Sequence, residues 1–427
     1  MTISKSAGGP EVPRSIERII EQHATDAAFL WAQRQGVLNA PHYRLHDLAA
    51  FDDRLQANLD GLRIADDCGW EFCTERLSDE QEAGEVFAAA VLALEQGSPK
   101  RLEVPVSLVG DEPRLATGLT SALGWVPRAT AHIAAQELLG SVLPVWRQVA
   151  IATYAIHRLD PGRALADALE DKDPAVRARA LRAVGELGRH DLVPELEAGL
   201  HEKSDLCRFW AAASAVLLGD QRNALEVLES FSTLPGPLQP RALQLSLRAG
   251  DTGRARKVVE RLRDDSSQLR TAVQAAGICG DSTVLPWLLE QLENPHCSRV
   301  VAEAFSLVTG LDLESEGLTA HGSPTGPSDE DDMEQEVLEL DPDEHLPTPD
   351  PEKLRRWYRT HKDGFVKGSR SFLGVSPSID GCANVWHSGT QRQRIAASLY
   401  LRLLDCTTTL NEWRAPAWRQ QFGPESG

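Results

Sequence analysis

Arg114, Arg147, Arg177, Arg208, Arg241, Arg270 and Arg299 recur along the middle of the chain, each 29 to 33 residues from the last. A glycine follows most of them nine to eleven positions later: Gly124, Gly188, Gly219, Gly250, Gly280 and Gly310. Three of these glycines precede an aspartate, namely Asp220, Asp251 and Asp281. Glycine ends a helix by taking the left-handed conformation, and aspartate caps the next helix through its side-chain oxygen. The dipeptide therefore predicts the turn inside a helix pair. The unit at Arg147 has no such glycine and is the weakest of the set. Short amphipathic pairs at this period cannot bury both faces alone and must stack on their neighbours.

The best-formed unit is residues 173–200. Asp173 precedes Pro174, an N-cap followed by proline at the first helical position, where its missing N–H costs nothing. Val176, Ala180, Leu181, Val184 and Leu187 then share one helical face, and Gly188 ends the helix. His190 and Asp191 open a second helix with Leu192, Val193, Leu196 and Leu200 on one side. In this pattern the chain resembles the HEAT family of helical repeats over roughly residues 111–310, with periods nearer the compact bacterial form. The resemblance implies an all-α fold, an α-α superhelix of about seven helix pairs whose inner helices form a continuous binding surface. The repeat arginines are expected to be structural, their stems packed between repeats and their guanidiniums bonding helix ends.

Bulk properties narrow the function classes. The 427 residues carry a formal charge of -19, which argues against nucleic acid, because phosphate contacts need a basic face. No apolar run approaches the roughly 20 residues of a membrane helix, and MTISKSAGGPEVPRS reads as neither secretory signal nor transit peptide. Seven scattered cysteines without a CxxC pair suit free thiols in a reducing compartment, so the expected location is the cytoplasm.

The flanks read as helices: an N-terminal helical domain over 15–110 after a disordered tail over 1–14, and a C-terminal helical segment over 353–427 that continues or caps the solenoid at 111–311. In the C-terminal segment Arg394 sits like the start of one further repeat, with Asp405 where the turn falls. Several blocks carry a second resemblance: AAFLWAQR (27–34), PHYRLHDLAAFDDRLQANLDGLRIADDCGWE (41–71), SALGWVP (121–127), LRRWYRTHKDGFVKGSRSFLG (354–374), QRQRIAASLYLRL (391–403) and RAPAWRQQ (414–421). They resemble an uncharacterised family of bacterial HEAT-repeat proteins, often encoded beside type VI secretion components. That resemblance implies a setting and no mechanism.

Residues 312–352 form an acidic, proline-rich linker or loop. Positions 329–344 hold ten acidic residues and no basic one, too polar to offset the cost of ordering, so 315–350 should be the least ordered stretch. A solvated spacer is one reading. The other is a contact with a basic partner or with the chain's own basic helix at 253–263.

Catalytic patterns are missing: no P-loop, GxGxxG, GxSxG or HExxH occurs. His42 and His46 have the spacing of a metal pair near Asp47 but no evident third ligand, so no metal is expected. Cys382 and His387 lack an orienting third group, and a packed structural cysteine is the preferred reading. No cofactor and no catalytic residue is assigned. The expected function is therefore non-enzymatic: a scaffold, adaptor or chaperone-like protein for a protein partner, with a type VI secretion effector or spike component as the client. The alternatives are an immunity protein that binds a toxin and a HEAT-type bilin-lyase-like enzyme. The candidate protein-binding residues are His42, Arg44, His46, Asp47, Asp52 and Arg54 in the polar block, and Arg254, Arg256, Lys257 and Arg261 on the basic helix.

Overall fold

A computed structural model describes residues 14–320 and 343–421. Most of the expected N-terminal tail, and residues 321–342 of the acidic segment, lie outside the described residues. Among the described residues there are 22 α-helices and no strand, only isolated bridges. The helices are α1 (Arg14–Val37), α2 (Leu45–Ala65), α3 (Asp67–Asp79), α4 (Ala83–Glu95), α5 (Pro99–Asp111), α6 (Ala116–Trp125), α7 (Arg128–Leu139), α8 (Pro144–Ile156), α9 (Arg163–Leu169), α10 (Pro174–Leu187) and α11 (Val193–Gly199). They continue as α12 (Asp205–Leu217), α13 (Ala224–Thr233), α14 (Gln239–Ala249), α15 (Thr252–Arg263), α16 (Leu269–Cys279), α17 (Leu285–Glu290), α18 (Ser298–Thr309), α19 (Pro351–His361), α20 (Ile379–Ser388), α21 (Gln391–Leu404) and α22 (Ala417–Gln421).

The chain divides into two compact units. The first comprises residues 1–38, 46–162 and 414–427; the second comprises 39–45 and 163–413. At the centre of the first unit is α4, in which every residue from Gly84 to Leu94 is buried. A helix apolar all round must be wrapped by others, and α1, α3, α5 and α6 pack against it. Its one acidic residue in that run, Glu85, is paired with Arg76 at 3.0 Å.

In the second unit the fold is a HEAT-like helical stack. The first helices of successive pairs, α10, α12, α14, α16 and α18, pack each on the next, and α11, α13, α15 and α17 each pack against the first helix of the following pair. The repeat arginines explain part of this regularity. Nη1 of Arg177 donates to the carbonyls of Asp171 (2.8 Å) and Lys172 (3.2 Å), and Nη1 of Arg208 donates to Glu202 (3.0 Å) and Lys203 (3.2 Å). In the first unit Arg147 does the same to Ser141 and Val142, both at 2.9 Å. Each arginine clamps the turn five and six residues before itself, satisfying carbonyls that a tight interhelix turn leaves without helical partners.

The turn glycines divide. Gly188, Gly280 and Gly310 end their helices with φ of 73°, 70° and 76°, the left-handed conformation. Gly250 instead leaves α14 extended, with φ −69°, and Gly124 lies inside α6, which stops at Val126–Pro127 because proline disfavours helix at the residue before it. Asp251 caps α15 by accepting from the Arg254 amide at 2.9 Å, and Asp281 accepts from the Thr283 amide at 3.0 Å. Asp220 gives its carboxylate to the Arg222 guanidinium, so α13 starts without a side-chain cap.

The acidic segment interrupts the last pair. Trp357 and Tyr358 of α19 pack edge-on to Phe305 of α18, and α19 packs on α17, so α19 takes the second-helix place of the pair that α18 begins. The described flanks of the segment are tied down rather than loose. The Ala320 amide donates to Thr348 O at 3.0 Å and the Asp350 amide to Leu318 O at 2.8 Å. Asp343, at its far end, is buried: both guanidinium Nη atoms of Arg270 donate to its carboxylate, and Arg299 donates to its carbonyl at 2.7 Å. Two repeat arginines thus hold acidic residue 343, a contact that neither the solvated-spacer reading nor the alternative of a basic partner or the helix at 253–263 named.

Candidate functional site

Four of the sequence blocks converge in the first unit. Arg34 closes AAFLWAQR at the end of α1, Asp52 lies on α2, Trp125 ends α6, and residues 414–421 supply RAPAWRQQ. Arg34 and Asp52 form a buried ion pair, with Nε to Oδ1 at 2.6 Å and Nη2 to Oδ2 at 3.2 Å. Asp52 is 0 % exposed and Arg34 4 %. Neither spends its hydrogen-bonding capacity on the other alone. Nη1 and Nη2 of Arg34 also donate to the carbonyls of Arg414 and Ala415, each at 3.0 Å. Oδ2 of Asp52 accepts from the Ala417 amide at 2.8 Å. The pair therefore reads three backbone groups of a four-residue stretch.

Side chains complete the contact. The Trp418 ring stands edge-on to Trp125 at 4.9 Å, and Trp125 in turn meets Phe87 at 5.5 Å and the Arg34 guanidinium at 5.5 Å. Arg419 donates to the carbonyl of Gly124 and to Nδ1 of His157, the latter at 2.9 Å. Nε2 of His157 donates to Leu123 O at 2.7 Å, so both groups satisfy carbonyls at the end of α6. Burial, reinforced by the nearby Arg419 charge, pushes the His157 pKa down to about 4 and keeps the ring neutral, as an acceptor toward Arg419 must be.

The ten candidate residues fall in three places. His42 and Arg44 belong to the 39–45 segment of the second unit. The His42 ring lies 4.0 Å from that of His345, and Arg44 donates to Ser388 O at 2.6 Å. His46, Asp47, Asp52 and Arg54 lie on α2 in the first unit. His46 and Asp47 pair with each other at 3.3 Å at the surface, and the exposed Arg54 lies over Phe51. Asp52 is withdrawn into the core. His42 precedes α2, so it shares no helical face with His46, and no group of metal ligands occurs among the described residues. On α15, Arg254 is paired with Glu229 at 2.8 Å, and Arg256 faces the buried Asp281 at 3.5 Å. Lys257 and Arg261, one turn apart, are exposed and carry no ion pair among the described residues. Cys382 is buried on α20, which raises its thiol pKa.

A second set of contacts involves the C-terminal segment, and the sequence did not indicate its place at the repeat glycines. Residues 366–406 cross the ends of the first helices and meet the repeat glycines one after another. Leu373 and Gly374 lie against Gly310, Ser371 against Gly280, Cys406 against Gly219 and Arg402 against Gly188. Arg370 donates to the carbonyls of Leu247, Arg248 and Gly250, each at 2.6 Å, and to Cys279 at 3.4 Å, which caps α14 and α16 at their negative ends. The amides of Ser371 and Leu373 donate to Gly280 O (2.8 Å) and Leu307 O (2.7 Å). Here α21 packs on α12 and α14, and Nε of Arg394 donates to Trp386 O at 2.7 Å.

The family model for HEAT repeats matches residues 162–248, the stretch that runs from α9 into the last turn of α14. Among curated proteins none is significantly similar to the chain. Residues 162–248 thus carry HEAT repeats within an all-α, HEAT-like helical stack, and HEAT repeats commonly serve protein interaction. No helix among the described residues is long and apolar enough to cross a membrane.

Proposed function

We propose that this HEAT-repeat protein is a non-catalytic adaptor or chaperone-like scaffold of the bacterial cytoplasm that holds a protein client, a type VI secretion effector or spike component. The carrying observation is the second-helix side of the stack. The main packing partners of α11, α13 and α15 are other repeat helices, whereas α21 lies on the first-helix side, against α12 and α14. On that second-helix side Lys257 and Arg261 stand exposed without an ion pair among the described residues, in a chain whose formal charge is -19. Cations left without acids in an acid-rich protein suit a carboxylate-bearing patch on a partner, where they add specificity and association rate. The secretion setting rests on the resemblance carried by the sequence blocks.

Deleting the gene tests the reading. The expected result is loss of delivery or stability of one neighbouring effector while the secretion machinery still fires. Re-introducing the chain with Lys257→Glu and Arg261→Glu should fail to restore that client. Normal delivery of every neighbouring effector by the deletion strain, with none of them captured by the purified protein, would falsify the proposal.

A further inference from the structure

The manner in which the first unit holds residues 414–420 is that of a receptor holding a peptide. Peptide recognition combines main-chain hydrogen bonds, which supply affinity without regard to sequence, with a few side-chain seats that supply specificity. Both are present. The Arg34–Asp52 pair bonds the carbonyls of Arg414 and Ala415 and the amide of Ala417, none of which involves the identity of a side chain. Trp418 against Trp125, and Arg419 against Gly124 O and His157, provide two side-chain seats. Ala415, Pro416 and Ala417 are buried, and residues this small let the backbone approach the ion pair.

The topology adds an independent reason. The residues that precede the segment, through Trp413, belong to the second unit, while the segment itself is part of the first. It joins its receptor late in the chain, through contacts with residues 262 to 381 positions away, and ends in a helix of only five residues. A short element that packs on a unit other than the one its preceding chain belongs to is the arrangement from which identical copies exchange segments.

We infer that Arg34, Asp52, Trp125 and His157 form a peptide-binding site whose ligand class is an Arg-Ala-Pro-Ala-Trp-Arg segment that enters a short helix at its alanine-tryptophan step. It is filled here by the chain's own residues 414–419 and accepts the same segment in trans from a second copy of the chain. The tethered segment competes at an effective concentration on the order of millimolar, so exchange is seen only when the internal copy is weakened or the external one is in excess.

The probe is a fluorescein-labelled peptide with the sequence of residues 411–421, the chemistry a second copy presents. It is titrated by fluorescence polarisation against the full-length chain carrying Trp418→Ala and Arg419→Ala. Saturable binding at least tenfold tighter than to the wild-type chain is expected, with at least a tenfold loss when Asp52→Asn is added. Equal binding to wild-type and doubly substituted chains, or binding to neither, overturns the inference. Should the doubly substituted chain lose its helical circular-dichroism signal, the wild-type chain decides. Unlabelled peptide at several millimolar must raise deuterium uptake in 414–421, and a peptide with alanine in place of its Trp418 equivalent must not. Unchanged uptake, or the same rise with both peptides, overturns it equally.

Discussion

Replacing Asp52 with alanine separates two views of the buried pair. Removing one partner of a buried ion pair leaves an uncompensated charge, at a cost of about 3–5 kcal/mol. Arg34 would keep two carbonyl acceptors, which softens the loss, while the Ala417 amide would lose its acceptor, which adds about 1 kcal/mol or more. A destabilisation of about 4 kcal/mol follows, equivalent to about 8–16 °C in Tm for a unit of this size. The double variant Arg34→Met, Asp52→Leu is the more telling one. An ion pair that served only itself would be replaced by apolar side chains at no cost, or with a gain of about 1–4 kcal/mol. This pair also satisfies three backbone groups of the C-terminal segment, each of which costs about 1–3 kcal/mol when buried without a partner. The double variant should therefore stay destabilised by about 2–4 kcal/mol, and residues 414–421 should lose protection in amide exchange. Urea unfolding and deuterium uptake measure both. A double variant as stable as wild type, with 414–421 still protected, would refute the reasoning.

Three further outcomes are expected. Gly280→Ala puts a Cβ into the Ser371 carbonyl at a left-handed position and should cost at least about 2 kcal/mol, whereas Gly36→Ala, in open space on α1, should stabilise by about 0.5–1 kcal/mol; thermal melts compare them. Arg370→Ala strips four carbonyls at the ends of α14 and α16, so exchange should rise in 366–375 well before the repeats unfold. The His157 pKa, held down at about 4, lies below its ordinary 6.5, so on acidification the unfolded chain takes up a proton first. Its stabilising contribution, about 3 kcal/mol, is whole above pH 6.5 and is lost as pH falls toward 4; a urea midpoint with the same pH dependence in His157→Asn would contradict it.

Much of the local structure was legible from residues alone. The period of the arginines marks the starts of successive first helices, and the guanidiniums of Arg147, Arg177 and Arg208 clamp turns only five and six residues away. Asp173–Pro174 starts α10 and Gly188 ends it, since capping and left-handed termination depend on neighbours within one helical turn. The blocks AAFLWAQR, SALGWVP and RAPAWRQQ, which carry the family resemblance, contain Arg34, Trp125 and residues 414–421. Their meeting was not legible, because no local rule relates Arg34 to a carbonyl 381 positions later, and a block's composition does not say what its polar groups bond. The same holds for Asp52, which reads as one candidate protein-binding residue among the polar groups of 41–71, yet is wholly buried against Arg34. Repeat glycines likewise announce turns but not that residues 366–406 lie across them, nor that Arg270 and Arg299 hold Asp343. Helices, caps and turns follow from forces acting over one or two turns of chain. Which buried charge meets which backbone group depends on contacts hundreds of residues apart, and only the folded chain brings them together.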